Sequence, residues 1–236
     1  MTPHLIGGVG LTHLKVYDTP GPDGVKGGCA HVHALTDEAY FCFGGKGHVE
    51  LHDVDSGFRI VPLEKGSFVQ FPPNTLHRSV CHDGLEILAI MGNSGLPERG
   101  DARIYFGQEI DENPGKYIQL SSMAKEGQLG AMRRRDISAI AYAKLMELWE
   151  TDRDRYMKEL DRFCAVHRKA MFNRKDELTA AVNNGAAVQA SKDQRRLIAL
   201  PNADSQLESW TAFSSNEKIK LGMCGTLAQI ENLKKA

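Results

Sequence analysis

The sequence predicts an α+β protein, with an antiparallel β-barrel over residues 1–118 and an α-helical region over residues 119–236. Two observations support this division. Before residue 118, short apolar or alternating segments are separated by turn sequences such as PGPDG at 20–24 and GGKG at 44–47, a pattern typical of a β-sandwich or barrel. After residue 118 the turn residues become sparse, and apolar residues recur at helical spacing.

Two apolar stripes predict two amphipathic helices in the second region, at about 130–149 and 153–183. The stripes consist of Ile137, Ile140, Ala141, Leu145 and Leu148, and of Tyr156, Leu160, Phe163 and His167. The capping signal SSNE at 214–217 predicts a further helix at about 215–234. Because the two long helices cannot bury their stripes alone, we expect them to pack against the barrel or against a second subunit in a homodimer.

The composition excludes several classes of function. The chain has 236 residues, a net charge of −1 and 25% charged residues, which is typical of a folded, soluble protein. It lacks the excess of Lys and Arg that a broad nucleic-acid surface needs, so we expect no nucleic-acid partner and interpret the basic run at 133–135 as a solvated helix face. No apolar run reaches bilayer length, and the first residues lack a signal-peptide pattern. We therefore expect no membrane association and a cytoplasmic location.

The five cysteines are widely spaced and contain no CxxC pair: Cys29, Cys42, Cys81, Cys164 and Cys224. An odd number without paired spacing disfavours a disulfide framework or a zinc ribbon. The pattern fits a reducing compartment, where a buried cysteine behaves as a small hydrophobic residue.

Four side chains are spaced as a metal site requires. His31 and His33 are two residues apart, so on a strand both point to the same face. Glu38 follows at the start of the next apolar run, and His77 comes after a turn containing two prolines. Mixed nitrogen and oxygen ligands that leave coordination positions open suit Fe(II), Mn(II), Ni(II) or Zn(II). The sequence therefore predicts one divalent transition metal at these four residues.

The stretches around these ligands resemble the two sequence motifs of the cupins. Residues 31–51 match the first motif at His31, His33, Glu38 and Gly45, although Val25 stands where the motif opens with Gly. Residues 66–81 match the second motif at Gly66, Pro72 and His77, with Asn74 in place of a Gly and Cys81 in place of the final Asn. The resemblance implies a small barrel of two packed antiparallel sheets with the metal inside. It does not fix a reaction, because this fold hosts many activities.

Strand alternation predicts which other side chains face the ligands. Tyr40 shares the parity of Glu38, and its phenol is either a proton donor to substrate or an ordinary core tyrosine. Gln70 is predicted to supply a neutral hydrogen-bonding group. By the same parity the interior includes Cys29, Cys42, Ser79 and Cys81, whereas we expect Arg78, His48 and His52 to face solvent.

The predicted lining favours a small-molecule substrate that chelates the metal. Thiols, a phenol and an amide match a sugar phosphate or nucleotide poorly. The leading hypothesis is a metal-dependent cupin enzyme in which oxidation by dioxygen is favoured over isomerase or lyase chemistry, and the resemblance favours Fe(II). Two alternatives stay open: a ligand-binding or sensory cupin module without catalysis, and a metal-free structural barrel.

Overall fold

The computed structural model describes residues 5–53, 55–93, 95–199, 212–215 and 218–232. The strands are β1 (Gly10–Val16), β2 (His31–His33), β3 (Glu38–Asp53), β4 (Gly57–Glu64), β5 (Phe68–Phe71), β6 (Leu76–Met91), β7 (Ala102–Ile104), β8 (Phe213–Ser215), β9 (Lys220–Leu221) and β10 (Gly225–Asn232). The helices are α1 (Gln108–Asp111), α2 (Pro114–Ser121), α3 (Gln128–Thr151), α4 (Arg153–Phe172), α5 (Lys175–Asn184) and α6 (Ala186–Ala199). Within the described ranges, no helix is both long enough and apolar enough to cross a bilayer.

Two long strands form the centre of the sheet. β3 and β6 run antiparallel from the pair Glu38–Met91 to the pair His52–Leu76, with register shifts between Cys42 and Gly47. At Gly45 the backbone has φ 69°, and an added Cβ would lie 2.1 Å from a carbonyl oxygen of the facing strand. Only glycine fits such an approach, and the irregularity bends both strands. Each strand can therefore cover two sides of the core.

The remaining strands extend this centre on both sides. β4 and β5 pair with β3, β1 pairs with the second half of β6, and β2 lies between the start of β6 and β7. The predicted antiparallel strands followed by helices are confirmed, but the described strand pairings do not close into the predicted barrel. The core on the inner face consists mainly of Leu14, Val16, Tyr40, Cys42, Val49, Leu63, Phe71, Cys81, Leu85, Ile87, Ala89 and Cys224.

The predicted helix at 215–234 is wrong. Residues 225–232 form β10, which pairs antiparallel with β1 from the pair Val16–Gly225 to the pair Thr12–Gln229. The exposed backbone groups of β1 gain hydrogen bonds from this strand, and such tertiary pairing outweighs a local helix signal. Asn216 and Glu217 of the capping signal lie outside the described residues.

The two long helices form close to their predicted positions, as α3 and α4, with α5 after a break at residues 173–174. Asp152 ends one helix and caps the next, because its carboxylate accepts the N–H of Arg155 at 3.1 Å. The buried side chains of α3 and α4, among them Tyr142 and Phe163, pack against Val32 and other strand residues in one cluster. Most of the two apolar stripes is thus covered within one chain, although Ile140 of the first stripe is 51% exposed.

The homodimer expected from the sequence stays a prediction, since covering the helices does not require it. We expect light scattering after size exclusion to give a mass near twice 26.1 kDa. A mass near 26.1 kDa at micromolar concentration would contradict it.

The interpretation of the basic run as a solvated helix face is wrong for two of its three arginines. Arg134 and Arg135 are 5% and 3% exposed. Arg135 donates to the Thr19 carbonyl at 2.7 Å, and Arg134 donates to the Gly222 carbonyl. A guanidinium carries five donors, so it can satisfy several loop carbonyls at once. The run therefore fixes α3 to the loops before β2 and before β10.

We expected His52 to face solvent, but it is fully buried between the sheet and the helices. Its Nδ1 lies 2.7 Å from the Tyr156 hydroxyl and its Nε2 lies 2.6 Å from the Tyr142 hydroxyl. A neutral imidazole has one donor and one acceptor, and two hydroxyls satisfy both. Burial lowers the pKa of His52 to about 3, which keeps the ring neutral at pH 7.

We predict that His52→Gln will make the free energy of unfolding depend less on pH in the acidic range. The folded-state pKa of His52 is about 3, below the unfolded value of about 6.5. The unfolded chain therefore binds more protons between these values, and the free energy of unfolding falls as pH falls through that window, by up to about 1.4 kcal/mol per pH unit. Gln can keep both hydrogen bonds but does not titrate.

Urea unfolding between pH 7 and pH 4 measures this slope. His52→Phe serves as the matched variant, because it also removes the titration but leaves two buried hydroxyls without partners. It should lower stability at every pH and show the same flattening. A wild-type slope in both variants would contradict the assignment.

Candidate metal centre

Four side chains from three strands converge inside the sheet. His31 on β2 lies directly opposite His77 on β6, His33 follows on the same face of β2, and Glu38 begins β3. One potential ligand atom from each residue lies within 4.8 Å of all the others. All four side chains are buried, at 1–5% exposure. The structure therefore brings together the four predicted ligands.

The closest contacts join the Nε2 atoms and one carboxylate oxygen. Nε2 of His77 lies 3.0 Å from Nε2 of His31 and 3.1 Å from Oε2 of Glu38. Nε2 of His33 lies 3.2 Å from the same oxygen. These four atoms enclose a single point, as the ligands of one ion do.

The opposite nitrogen of each ring faces an oxygen that can only accept a hydrogen bond. The partners of the three Nδ1 atoms are the Cys29 carbonyl for His31 at 3.1 Å, the Thr75 carbonyl for His77 at 3.0 Å and the Asp101 carboxylate for His33 at 3.3 Å. Each Nδ1 of a neutral ring therefore donates, and each Nε2 keeps its lone pair directed inward. This is the arrangement by which proteins orient metal-binding histidines.

The donor atoms fit a cation. The lone pairs of His31 and His77 face each other at 3.0 Å, which is unfavourable unless a positive group lies between them. Nε2 of His33 and Oε2 of Glu38 are buried and lie 3.2 Å apart, and Nε2 of His77 lies 3.1 Å from the same oxygen, so their contacts are with other members of the cluster. Three imidazoles and one carboxylate are donors that suit a divalent transition metal.

Burial and the neighbouring ionisable groups shift the pKa values of these side chains. Burial lowers the pKa of His31 well below its usual value, and the neighbouring imidazoles of His77 and His33 lower it further. Burial also opposes the charge of His33, but the Glu38 and Asp101 carboxylates outweigh it and raise the pKa of His33 to about 9. Burial raises the pKa of Glu38, and the two facing imidazoles more than reverse this and lower it. A proton and a metal ion thus compete for Nε2 of His33.

Asp101 orients His33 and was missed from the sequence. Its side chain is fully buried, and Oδ1 accepts the N–H groups of Ala34 and Leu35 at 3.1 and 2.8 Å. These bonds leave Oδ2 facing the His33 ring. The only sequence signal is an acidic residue directly before the short strand β7, which pairs with β2.

The C-terminal strand region reaches the site through Cys224, which the sequence analysis treated as inert. Its Sγ lies 3.8 Å from Nδ1 of His31. The N–H of Cys29 donates to the Met223 carbonyl at 3.0 Å. A Cβ on Gly28 would lie 2.4 Å from Cα of Cys224, so only glycine allows this approach. The thiol is thus held beside a ligand.

Of the two residues predicted to line the pocket, the structure places one inside. Tyr40 is fully buried, and its ring centroid lies 6.3 Å from that of His77. Burial and the Glu38 carboxylate raise the pKa of Tyr40 well above its usual value. Gln70 is exposed and does not line the site. Phe71 faces inward on β5 instead, and its ring centroid lies 4.6 Å from that of His77. The prediction for this strand was therefore wrong by one residue, which exchanges the two faces.

Arg78 is also buried, contrary to the expectation of a surface residue. It points away from the ligands as its parity predicts, but helix α3 covers that face of the sheet. Its Nη1 lies 2.7 Å from Oδ2 of Asp23, and its Nε donates to the Gly28 carbonyl at 3.1 Å. The prediction of buried cysteines is confirmed for all five, and Ser79 is buried as well.

Comparison with families and with curated proteins finds no match. Among solved structures, the chain is similar to a cupin protein from Bacteroides fragilis, at 20% identity over 37% of this chain and 65% of that chain, with a TM-score of 0.27. It is also similar to an RmlC-like cupin protein from Desulfovibrio desulfuricans, at 13% identity over 38% and 76%, with a TM-score of 0.29. A third is a Klebsiella pneumoniae protein with a double-stranded β-helix domain, at 11% identity over 37% and 68%, with a TM-score of 0.28.

Cupin proteins are thus among the structures similar to this chain, as the two sequence motifs indicate. The chain spans slightly less than two thirds of the Bacteroides protein. Because these TM-scores are below 0.5, the description of the metal centre depends on this chain's own strand pairing and side-chain geometry.

We predict that Asp101→Asn will weaken metal binding by about 10- to 100-fold, the usual effect of losing such a partner. The Asn oxygen can still accept the backbone N–H groups of Ala34 and Leu35, but its NH₂ group then meets the donor Nδ1 of His33. The ring must change its tautomer or turn, and either change spoils Nε2 as a ligand.

Competition with a chromogenic chelator for Co(II) or Zn(II) measures this affinity. Asp161→Asn is the matched control, since Asp161 is exposed on α4, and it should bind as the wild type does. Equal affinity of Asp101→Asn and the control would contradict the role of Asp101.

Proposed function

We propose that this protein is a metal-dependent enzyme that acts on a small, metal-chelating organic molecule, with oxidation by dioxygen favoured over isomerase or lyase chemistry. The observation that carries the proposal is the buried set of three imidazoles and one carboxylate. A bound divalent ion supplies Lewis acidity or, if it is iron, the activation of dioxygen. Fe(II) is the favoured ion, and Mn(II), Ni(II) and Zn(II) are alternatives.

The side chains beside the ligands support a small substrate of low charge. Tyr40, Phe71, Ser79 and Cys224 are neutral, and each is buried. Such a lining offers apolar contact and a few hydrogen bonds but no guanidinium or ammonium group to hold a phosphate. A carbonyl, enol or carboxylate that binds the ion directly fits this environment.

Tyr40 is the residue that we propose to act on the substrate. Its raised pKa keeps the phenol protonated at neutral pH, so it can donate a hydrogen bond to a substrate oxygen. Glu38 cannot donate in the same way, because its lowered pKa keeps it ionised. We therefore assign the Glu38 carboxylate as a metal ligand and the Tyr40 phenol as the hydrogen-bond donor to the substrate.

Elemental analysis of protein prepared without a histidine tag tests the proposal. We expect about one equivalent of a transition metal in the wild type and in Tyr40→Phe, and less than a tenth of that in His31→Ala and His77→Ala. Oxygen consumption should then be screened with enols, catechols and thiols, and Tyr40→Phe should lower turnover while keeping the metal.

Three outcomes would redirect the assignment. Zinc, manganese or nickel without oxygen consumption favours isomerase or lyase chemistry. Ligand binding without turnover of any kind favours the sensory module. A full equivalent of metal retained by both histidine variants when His82 is also replaced by Gln, or no metal in any sample, contradicts the proposed centre.

A further inference from the structure

A second pair of histidines lies on the outer face of the sheet, away from the buried centre. Nδ1 of His48 on β3 lies 3.0 Å from Nε2 of His82 on β6, and the ring centroids are 4.9 Å apart. When two nitrogens bind the same ion, each at about 2.0–2.1 Å, an octahedral or tetrahedral nitrogen–metal–nitrogen angle separates them by about 2.9–3.3 Å. The observed separation is that of a hydrogen bond between the two rings, and it also matches the separation of two ligands of one ion.

A bulge in β6 aims one of these rings at the other. Lys46 pairs with Asp83 and Gly47 pairs with Cys81, so His82 has no partner residue on β3. An extra residue of this kind bends its strand and redirects its side chain. The backbone thus fixes the juxtaposition of the two rings.

Glu50 supports His48 from the other side. Nε2 of His48 lies 3.7 Å from Oε1 of Glu50, and this nitrogen and Oε2 of Glu50 are buried without hydrogen-bond partners. A metal-bound histidine commonly directs its free N–H to a carboxylate. In the tautomer that carries its proton on Nε2, His48 directs that N–H towards Glu50 and leaves the Nδ1 lone pair free to bind a cation.

The space for further ligands is a crevice of about 290 Å³ next to the two rings. Pro62, Leu63 and Glu64 line it together with Lys46. The Glu64 carboxylate can approach a bound ion, and Lys46 can pair with an anion or with that carboxylate. His82 is exposed, so the crevice opens to solvent.

We propose that His48 and His82 form a second, exchangeable site for a borderline divalent cation such as Zn(II), with Glu50 as the positioning residue of His48. Imidazole nitrogen is a preferred ligand of Zn(II), and two protein ligands leave the other positions to water or to a crevice carboxylate. The site shares no ligand with the buried centre, so it can be tested independently of the proposed function.

Equilibrium dialysis of the full-length protein against Zn(II) tests the proposal. We expect two equivalents in the wild type, of which the weaker, in the micromolar range, is lost in His82→Gln and in His48→Gln. His13→Gln is the control, because His13 is also on the sheet surface and lies 2.9 Å from Glu86, and it should keep both. Glu50→Gln should weaken only the second equivalent, by at least tenfold.

His77→Ala separates the two sites, since it should remove the tighter equivalent and leave the weaker one. If the second equivalent is absent from the wild type, or survives in His82→Gln with unchanged affinity, the surface site does not exist. Either result leaves the buried centre unaffected.

Discussion

The burial of three imidazoles and one carboxylate around a single point is the constraint on which the rest of this structure depends. Such groups lose their hydration when they are buried, and each needs a partner to offset the loss. The carbonyls of Cys29 and Thr75 and the Asp101 carboxylate satisfy the outer nitrogens. The inner atoms of His33 and Glu38 contact other members of the cluster, 3.2 Å from each other. A cation bound at this point would complete the site, because three imidazoles and one carboxylate are suitable ligands of a divalent transition metal.

The helical half supports the centre from outside. The His167 ring contacts the Asp101 carbonyl, which ties α4 to the residue that orients His33. Arg134 holds the carbonyl of Gly222, two residues before Cys224, and so helps to fix the strand region that carries the thiol beside His31. The helices therefore cover the sheet and also hold in place two segments of the site. We expect damage to α3 or α4 to affect metal binding as well as stability.

The ligand set and the order of strands and helices were predictable because they depend on spacing along single strands and helices. His31 and His33 share a face by strand geometry alone, and Glu38 and His77 lie at the ligand positions of the two stretches that resemble cupin motifs. Asp101 and Cys224 were not predictable, because strand pairing and close backbone approach bring them to the site from distant positions. Solvent was wrongly assigned to His52 and Arg78 because helices cover the outer face of the sheet, and alternation along a strand does not reveal what packs above it. It was wrongly assigned to Arg134 and Arg135 because the charge pattern of a helix does not reveal the loop carbonyls that its arginines bind.

The most direct test of the central claim is X-ray absorption spectroscopy at the edge of the metal bound to the wild-type protein, with the surface site removed by His82→Gln. The geometry predicts a first shell of nitrogen and oxygen at about 2.0–2.2 Å with the multiple scattering of three imidazoles. A sulfur scatterer at about 2.3 Å, or fewer than two imidazoles, would place the ion elsewhere and contradict the account.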